Sequence, residues 1–157
     1  PFPATWEAAN LHNVEFRYYD PSAGGTTAWV TVPTAPWPFM TGRKCLQVTR
    51  DATANVPRVM VGTALMPSLR PMLVRYAARV TAGTGNLQMI NYDSNFASTL
   101  TDGNQTITLD TNWTQVTRVM LADGDHPTSG YQANLELSLQ TASAVYQIAG
   151  VSMTPVG

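Results

Sequence analysis

The stretch Tyr131–Gln140, YQANLELSLQ, alternates without a break. Tyr131, Ala133, Leu135, Leu137 and Leu139 take one parity; Gln132, Asn134, Glu136, Ser138 and Gln140 take the other. Strand side chains point to opposite faces with period two, so the stretch predicts a strand with one apolar and one polar face. The polar row holds amides, a hydroxyl and one carboxylate, with no Lys or Arg. That is the chemistry of a surface that hydrogen-bonds hydroxyl groups. A solvated sheet face is the competing reading of the same row.

The same alternation recurs along the chain. Val14–Tyr19, Ala28–Val32, Gly42–Arg50 and Arg58–Leu65 read as strands, with Leu46 or Cys45 and Val48 inward in the third. In Met72–Val80, Met72, Val74, Tyr76, Ala78 and Val80 form one row and Leu73, Arg75, Ala77 and Arg79 the other. A helix competes there, but β-branched residues, a preceding proline and a following Thr-Ala-Gly-Thr-Gly turn favour a strand. Asn86–Asp93 is expected to be its hairpin partner. Gln105–Asp110, Trp113–Leu121, Tyr131–Gln140 and Val145–Met153 complete the set. Turn clusters such as Asp20–Gly25, Asp51–Asn55 and Ala122–Gly130 separate the runs. Pro33–Pro38 is excluded from a central strand because proline removes ladder donors, so it reads as a stiff loop presenting Trp37. About ten short strands with no significant helix predict an all-β fold, an antiparallel β-sandwich or jelly roll. Residues 1–12, with two prolines and no period, read as an extended N-terminal arm. Residues 13–157 read as a single domain.

Composition narrows the function classes. The chain has 157 residues, 44% of them hydrophobic, which suits one domain with its own core. Net charge is −1 and only 12% of residues are charged, so nothing points to nucleic acid or an anionic membrane. One cysteine, Cys45, allows no intrachain disulfide, and its strand-like setting suggests a buried small apolar residue. No apolar run is long enough to span a bilayer. The first residues lack the basic and apolar regions of a signal peptide, which fits a processed precursor or a virion component. The expected location is extracellular or on a virion surface.

At this point the order of elements resembles a known family, the jelly-roll carbohydrate-binding modules of the CBM4, CBM9 and CBM22 type. Asn13-Val14-Glu15-Phe16 is similar to its opening strand, and Gly42–Val48 to its Gly-x-x-x-Leu-x-Val strand. Leu69–Val80 resembles its Leu-x-Pro-Gly-x-x-Tyr segment and the strand after it. Trp113–Val116 resembles its Thr-Trp-x-x-Val strand, and Tyr146–Met153 its closing Tyr-x-Ile-Asp-Asp-Val-x-Leu strand. The same fold also serves as an accessory domain of phage tail and decoration proteins. The structural calcium of the family uses a Glu after the first Phe and an Asp on the last strand. Here Arg17 follows Phe16, and Ala149-Gly150 replace the acidic pair. A hard cation needs several oxygen ligands, so no calcium and no other cofactor is expected. Asp123-Gly124-Asp125 is the alternative cation site, read first as a solvated turn.

The resemblance implies that a glycan lies across a concave sheet, stacked on aromatic rings and held by planar polar side chains. It implies Asn134 and Glu136 on the outward row of Tyr131–Gln140, Arg75 and Arg79 on a neighbouring strand, and Gln88 and Tyr92 on the next. Trp37 is the candidate stacking lip, with a ring folded onto one end of the sandwich as its alternative. Trp113 is expected in the core, and Trp29 is left open. Arg75 and Arg79 have a plainer alternative, an ion pair with Glu136 or an oligomer contact. Catalysis is not expected. His12 and His126 lack triad surroundings, and Glu15 and Glu136 are the only strand glutamates that invite comparison with a glycosidase pair.

Two functions follow as expectations. The first is a non-catalytic domain that recognises a glycan on a polysaccharide or cell envelope. The second is a structural virion protein, a phage capsid decoration or minor tail protein, that uses the same fold as an interaction platform. Its partners would be capsid or tail proteins reached through the arm. A homo-oligomer is open under either.

Overall fold

The computed structural model describes residues 11–12, 15–19, 24–32, 44–62, 72–92, 104–120 and 134–155. These form eleven strands and, among the described residues, no helix. They are β1 (Leu11–His12), β2 (Glu15–Tyr19), β3 (Gly25–Thr31), β4 (Lys44–Arg50), β5 (Arg58–Gly62), β6 (Met72–Val80), β7 (Gly85–Tyr92), β8 (Gln105–Leu109), β9 (Thr114–Met120), β10 (Asn134–Leu139) and β11 (Val145–Pro155). The all-β sandwich follows from the alternation that the sequence carries. The additional strand is β1, which pairs in parallel with Val151–Ser152 and brings the end of the expected arm into a sheet. Every other pairing is antiparallel.

A six-stranded sheet runs β3-β4-β11-β6-β9 with β1 beside β11, and a five-stranded sheet runs β2-β5-β10-β7-β8. From β4 onward the chain changes sheet at almost every turn; β7 to β8 is the one connection that stays within a sheet. The expected hairpin between β6 and β7 is therefore corrected. Residues 81–84, with Gly83 at a φ of 64°, carry the chain from one sheet to the other. The two strands lie in different sheets and send side chains into the same core, with no backbone ladder between them. Both arrangements need the same alternating sequence, which is why periodicity alone does not separate them.

The core lies between the sheets. Leu46, Val48, Val74, Tyr76, Ala78, Val80, Tyr146 and Ile148 enter from the six-stranded sheet, and Val59, Leu87, Met89, Leu109, Leu135, Leu137 and Leu139 from the other. The apolar row of β10 is thus fully buried, and Trp29 packs against its edge of the core. Val32, Cys45 and Ala149 form a second, smaller cluster on the outer side of the six-stranded sheet, with Val30 and Trp113 packed on it. The expectation that Trp113 sits in the main core is corrected for a reason of parity. Thr114 and Val116 lie across from Ala78 and Tyr76, which face inward, so Trp113 falls on the outward parity.

One end of the sandwich is held by polar groups that cross the interior. The Tyr146 hydroxyl donates to the Asn86 carbonyl at 2.7 Å and accepts from the Thr141 amide at 3.1 Å. The Asn86 carbonyl also accepts from the Gln140 amide at 3.0 Å. The buried Arg50 donates from Nη1 to the Leu139 carbonyl at 3.0 Å and to the Gln140 carbonyl. Both side chains start on the six-stranded sheet and end on the backbone of the five-stranded one. A Cβ on Gly85 would stand 2.9 Å from the Tyr146 hydroxyl and 2.8 Å from Val80 Cγ1, so the close approach needs glycine there.

Burial pushes the Cys45 thiol up to about 12, so the thiolate is scarce at neutral pH. Two outcomes are expected. Iodoacetamide at pH 8 labels Cys45 at the rate of global unfolding and at full speed only in denaturant, as mass spectrometry would read. Tyr146→Phe strips the Asn86 carbonyl and Thr141 amide of a partner and lowers stability by about 1–3 kcal/mol, seen as a fall in urea midpoint, whereas the exposed Thr26→Ala stays within about 0.5 kcal/mol.

Candidate functional site

β10 occupies the middle of the five-stranded sheet, between β5 and β7. Leu135, Leu137 and Leu139 plug the core, so strand alternation turns Glu136 and Ser138 to the outer face. Register then assembles that face row by row. Glu136 lies across from Met60 and Ile90; Ser138 lies across from Arg58 and Gln88; Gln88 in turn faces Thr106. Asn86 faces Thr108 on the next row.

Glu136 is the centre of the polar arrangement and is only 2% exposed. Its Oε1 accepts from the Ser138 hydroxyl at 2.8 Å and lies 3.2 Å from Arg58 Nε. The Nε–H has no acceptor in hydrogen-bond geometry, so charge attraction rather than a formed hydrogen bond holds the two. The Arg58 side chain remains 39% exposed while that of Glu136 is 3% exposed. The pair therefore presents a guanidinium to the surface and keeps the carboxylate beneath it. Toward β8 the face turns to neutral groups. Gln140 Nε2 donates to Gln88 Oε1 at 3.2 Å, and the Thr108 hydroxyl donates to Asn86 Oδ1 at 2.9 Å. Gln140, Asn86, Thr106 and Thr108 are exposed and Gln88 is half-buried. Such a face can give and receive hydrogen bonds at several points with no net charge.

The structure sorts the candidates of the sequence. Asn134, Glu136, Gln88 and Tyr92 fall on the paired strands β10 and β7, with Asn134 directly across from Tyr92. Arg75 and Arg79 do not join them. They lie on β6, which pairs with β11 and β9 in the other sheet, so the expected neighbour of β10 is corrected to β7 on one side and β5 on the other. Their suggested ion pair with Glu136 is excluded by the same topology, and Arg58 holds that carboxylate instead. Trp37 and Asp123-Gly124-Asp125 lie outside the described residues. Arg58 is the residue that the sequence reading missed. Its signal was present, because Val59 and Val61 alternate with it, but its partner is set only when β5 pairs with β10.

Glu15, the other strand glutamate, lies on β2, with β5 between it and β10. Its row runs through Gly62 and Asn134 rather than through Glu136. Where the resemblance would place a calcium-binding acidic pair, Ala149 is fully buried and Gly150 has a φ of 63° at a break in the β11–β6 register. Among the described residues no three of His, Cys, Asp and Glu gather as a metal site.

Solved structures share this architecture. It is the fold of carbohydrate-binding modules. A CBM4 structure aligns with a TM-score of 0.58 at 13% identity, over 90% of this chain and 86% of that one. The CBM22-1 xylan-binding domain from Paenibacillus barcinonensis aligns with a TM-score of 0.57 at 15% identity, over 88% and 85%. The enzymatically active domain of tailspike protein 4 of bacteriophage CBA120 aligns with a TM-score of 0.61 at 11% identity. There the alignment covers 94% of this chain but 20% of the tailspike chain. No protein-family model matches the sequence, and no curated protein matches it. Among the described residues no helix is long and apolar enough to cross a membrane.

The Arg58–Glu136 pair makes a measurable prediction. Arg58→Ala leaves a buried carboxylate without its cation and lowers stability by about 1–3 kcal/mol, less than for a fully enclosed pair because Arg58 is partly open to water. Adding Glu136→Gln recovers part of that loss, so a double-mutant cycle followed by urea unfolding gives a coupling of about 0.5 kcal/mol or more.

Proposed function

We propose that the chain is a non-catalytic carbohydrate-binding domain, outside the cell or on a virion surface, whose ligand lies across the outer face of the five-stranded sheet. The observation that carries this reading is the ordered polar face around Glu136 on a fold that carbohydrate-binding modules also use. Sugar hydroxyls are both donors and acceptors, and amides laid side by side meet them in pairs. Gln88, Gln140, Asn86, Thr106 and Thr108 supply such groups in adjacent rows. Arg58 contributes donors at the surface, and Glu136 acts beneath as the group that positions it. Asn134 and Tyr92 extend the same strands, and the flat ring of Trp37 is the proposed stacking partner of a sugar face. Arg58 and Glu136 balance each other and the groups toward β8 are neutral, which supports a neutral hydroxyl-rich polymer as the ligand class. The CBM22 neighbour is a xylan-binding domain, which makes xylan the first polymer to test. The reading calls for no cofactor.

A second reading rests on the likeness to a phage tailspike domain. In it the domain is a structural virion component, and the residues before β1 reach a capsid or tail partner. The two readings separate on deletion of residues 1–10. Loss of assembly with an unchanged fold supports the virion role, and unchanged glycan binding by a monomer supports the first.

Affinity electrophoresis in gels containing soluble xylan, followed by a glycan array, tests the leading reading. Wild-type protein is expected to be retarded. Gln88→Ala with Gln140→Ala is expected to weaken binding about tenfold, as is Trp37→Ala, each with unchanged circular dichroism. Wild-type mobility in both variants would sink the proposed site.

A further inference from the structure

The two arginines that topology removes from the glycan face share another one. On the outer side of the six-stranded sheet, Arg75 lies across from Ser152 of β11 and Thr117 of β9, and Arg79 lies across from Gln147. Arg75 is exposed, Thr117 is exposed and Ser152 is half-buried, so a guanidinium stands between two hydroxyl-bearing residues in one row. Four residues along the same strand, about 13 Å away, stands Arg79.

Arg79 is held in place from below and from the side. Trp113 packs on the Val32–Cys45–Ala149 cluster, and the Arg79 guanidinium carbon sits 4.7 Å from the centre of its ring. Arg79 Nε donates to Gln147 Oε1 at 2.8 Å, and Gln147 Nε2 donates to Gln47 Oε1 at 2.9 Å. An aromatic ring under the plane and an amide on Nε fix the orientation of a guanidinium while using one of its five N–H groups. No Asp or Glu occupies a described strand position on this face, across β3, β4, β11, β6 and β9.

We propose that this face is a second binding surface, specific for a carboxylate-bearing polysaccharide, with Arg75 and Arg79 each receiving a sugar carboxylate. The planar guanidinium fork matches a carboxylate through two parallel hydrogen bonds, and the Ser152 and Thr117 hydroxyls add donors beside Arg75. The fixed Arg79 loses little freedom when it binds. The separation of the arginines favours an extended chain carrying repeated charges over a single small anion. The inference does not rest on the neutral-glycan reading, because it concerns the opposite face.

Affinity electrophoresis in polygalacturonate gels, with xylan gels run beside them, tests it. Wild-type protein is expected to be retarded by polygalacturonate, and the retardation is expected to shrink as salt rises. Arg75→Gln is expected to weaken that binding about tenfold and Arg75→Gln with Arg79→Gln more, with mobility in xylan unchanged. Arg75→Lys retains part of the binding. Arg75 is exposed, so its single variant reads out even if the Arg79 variant unfolds. Absence of retardation in wild type, or equal retardation of wild type and Arg75→Gln, overturns the proposal. Retardation by polygalacturonate without retardation by xylan leaves it standing and overturns the neutral-glycan reading alone.

Discussion

The hydroxyl of Tyr146 crosses the interior to the backbone of the opposite sheet and ties the two sheets together at one end. Burying that oxygen in an apolar layer is costly unless it finds partners, and it finds two, the Asn86 carbonyl and the Thr141 amide. Those partners belong to the start of β7 and to the turn that leads from β10 into β11. The contact therefore aligns three strands from two sheets at one end. Arg50 adds a second crossing at the same end, onto the last carbonyls of β10. Because strand side chains have period two, a slip of one residue in β10 would send Leu135, Leu137 and Leu139 outward and Glu136 into the core. Hydrogen bonds from Leu139 to the Pro57 carbonyl and from Gln140 to the Asn86 carbonyl, beside the Tyr146 contact, hold the register that forbids it. The polar face is thus a consequence of how the interior is locked.

Alternation explains why so much of the fold was legible. Val74, Tyr76, Ala78 and Val80 of Met72–Val80, and Leu135, Leu137 and Leu139 of Tyr131–Gln140, enter the core in the rows that alternation defines. Arg50 shares parity with Leu46 and Val48, so its inward position also follows from the pattern. What periodicity does not encode is partnership. A strand that folds back as a hairpin and one that crosses to the opposite sheet carry the same alternation, and β6 and β7 take the second course. At the site, the resemblance implied a partnership that the topology does not have. Once Met72–Val80 is taken as the neighbour of Tyr131–Gln140, Arg75 and Arg79 seem to fall beside Glu136, while the true cation, Arg58, goes unnoticed. Cross-strand pairing between residues far apart in the chain was the missing information, and it is carried by the packing of the whole core rather than by any local stretch.

The two outer faces also differ in how they handle charge, which a net charge of −1 conceals. On the five-stranded sheet Arg58 and Glu136 neutralise each other within one cross-strand neighbourhood, and the groups toward β8 are amides and hydroxyls. On the six-stranded sheet Arg79 rests on an aromatic ring and an amide, Arg75 lies across from two hydroxyl-bearing residues, and no carboxylate stands among the described strand positions of that face. The sheets of a sandwich pack about 10 Å apart, and the outer faces are farther apart still. At physiological ionic strength the Debye length is about 8 Å, so solvent-exposed charges on the two faces are largely screened from one another. A ligand that suits one face therefore gains nothing from the charge on the other. The two ligands proposed for the two faces would therefore not compete through charge.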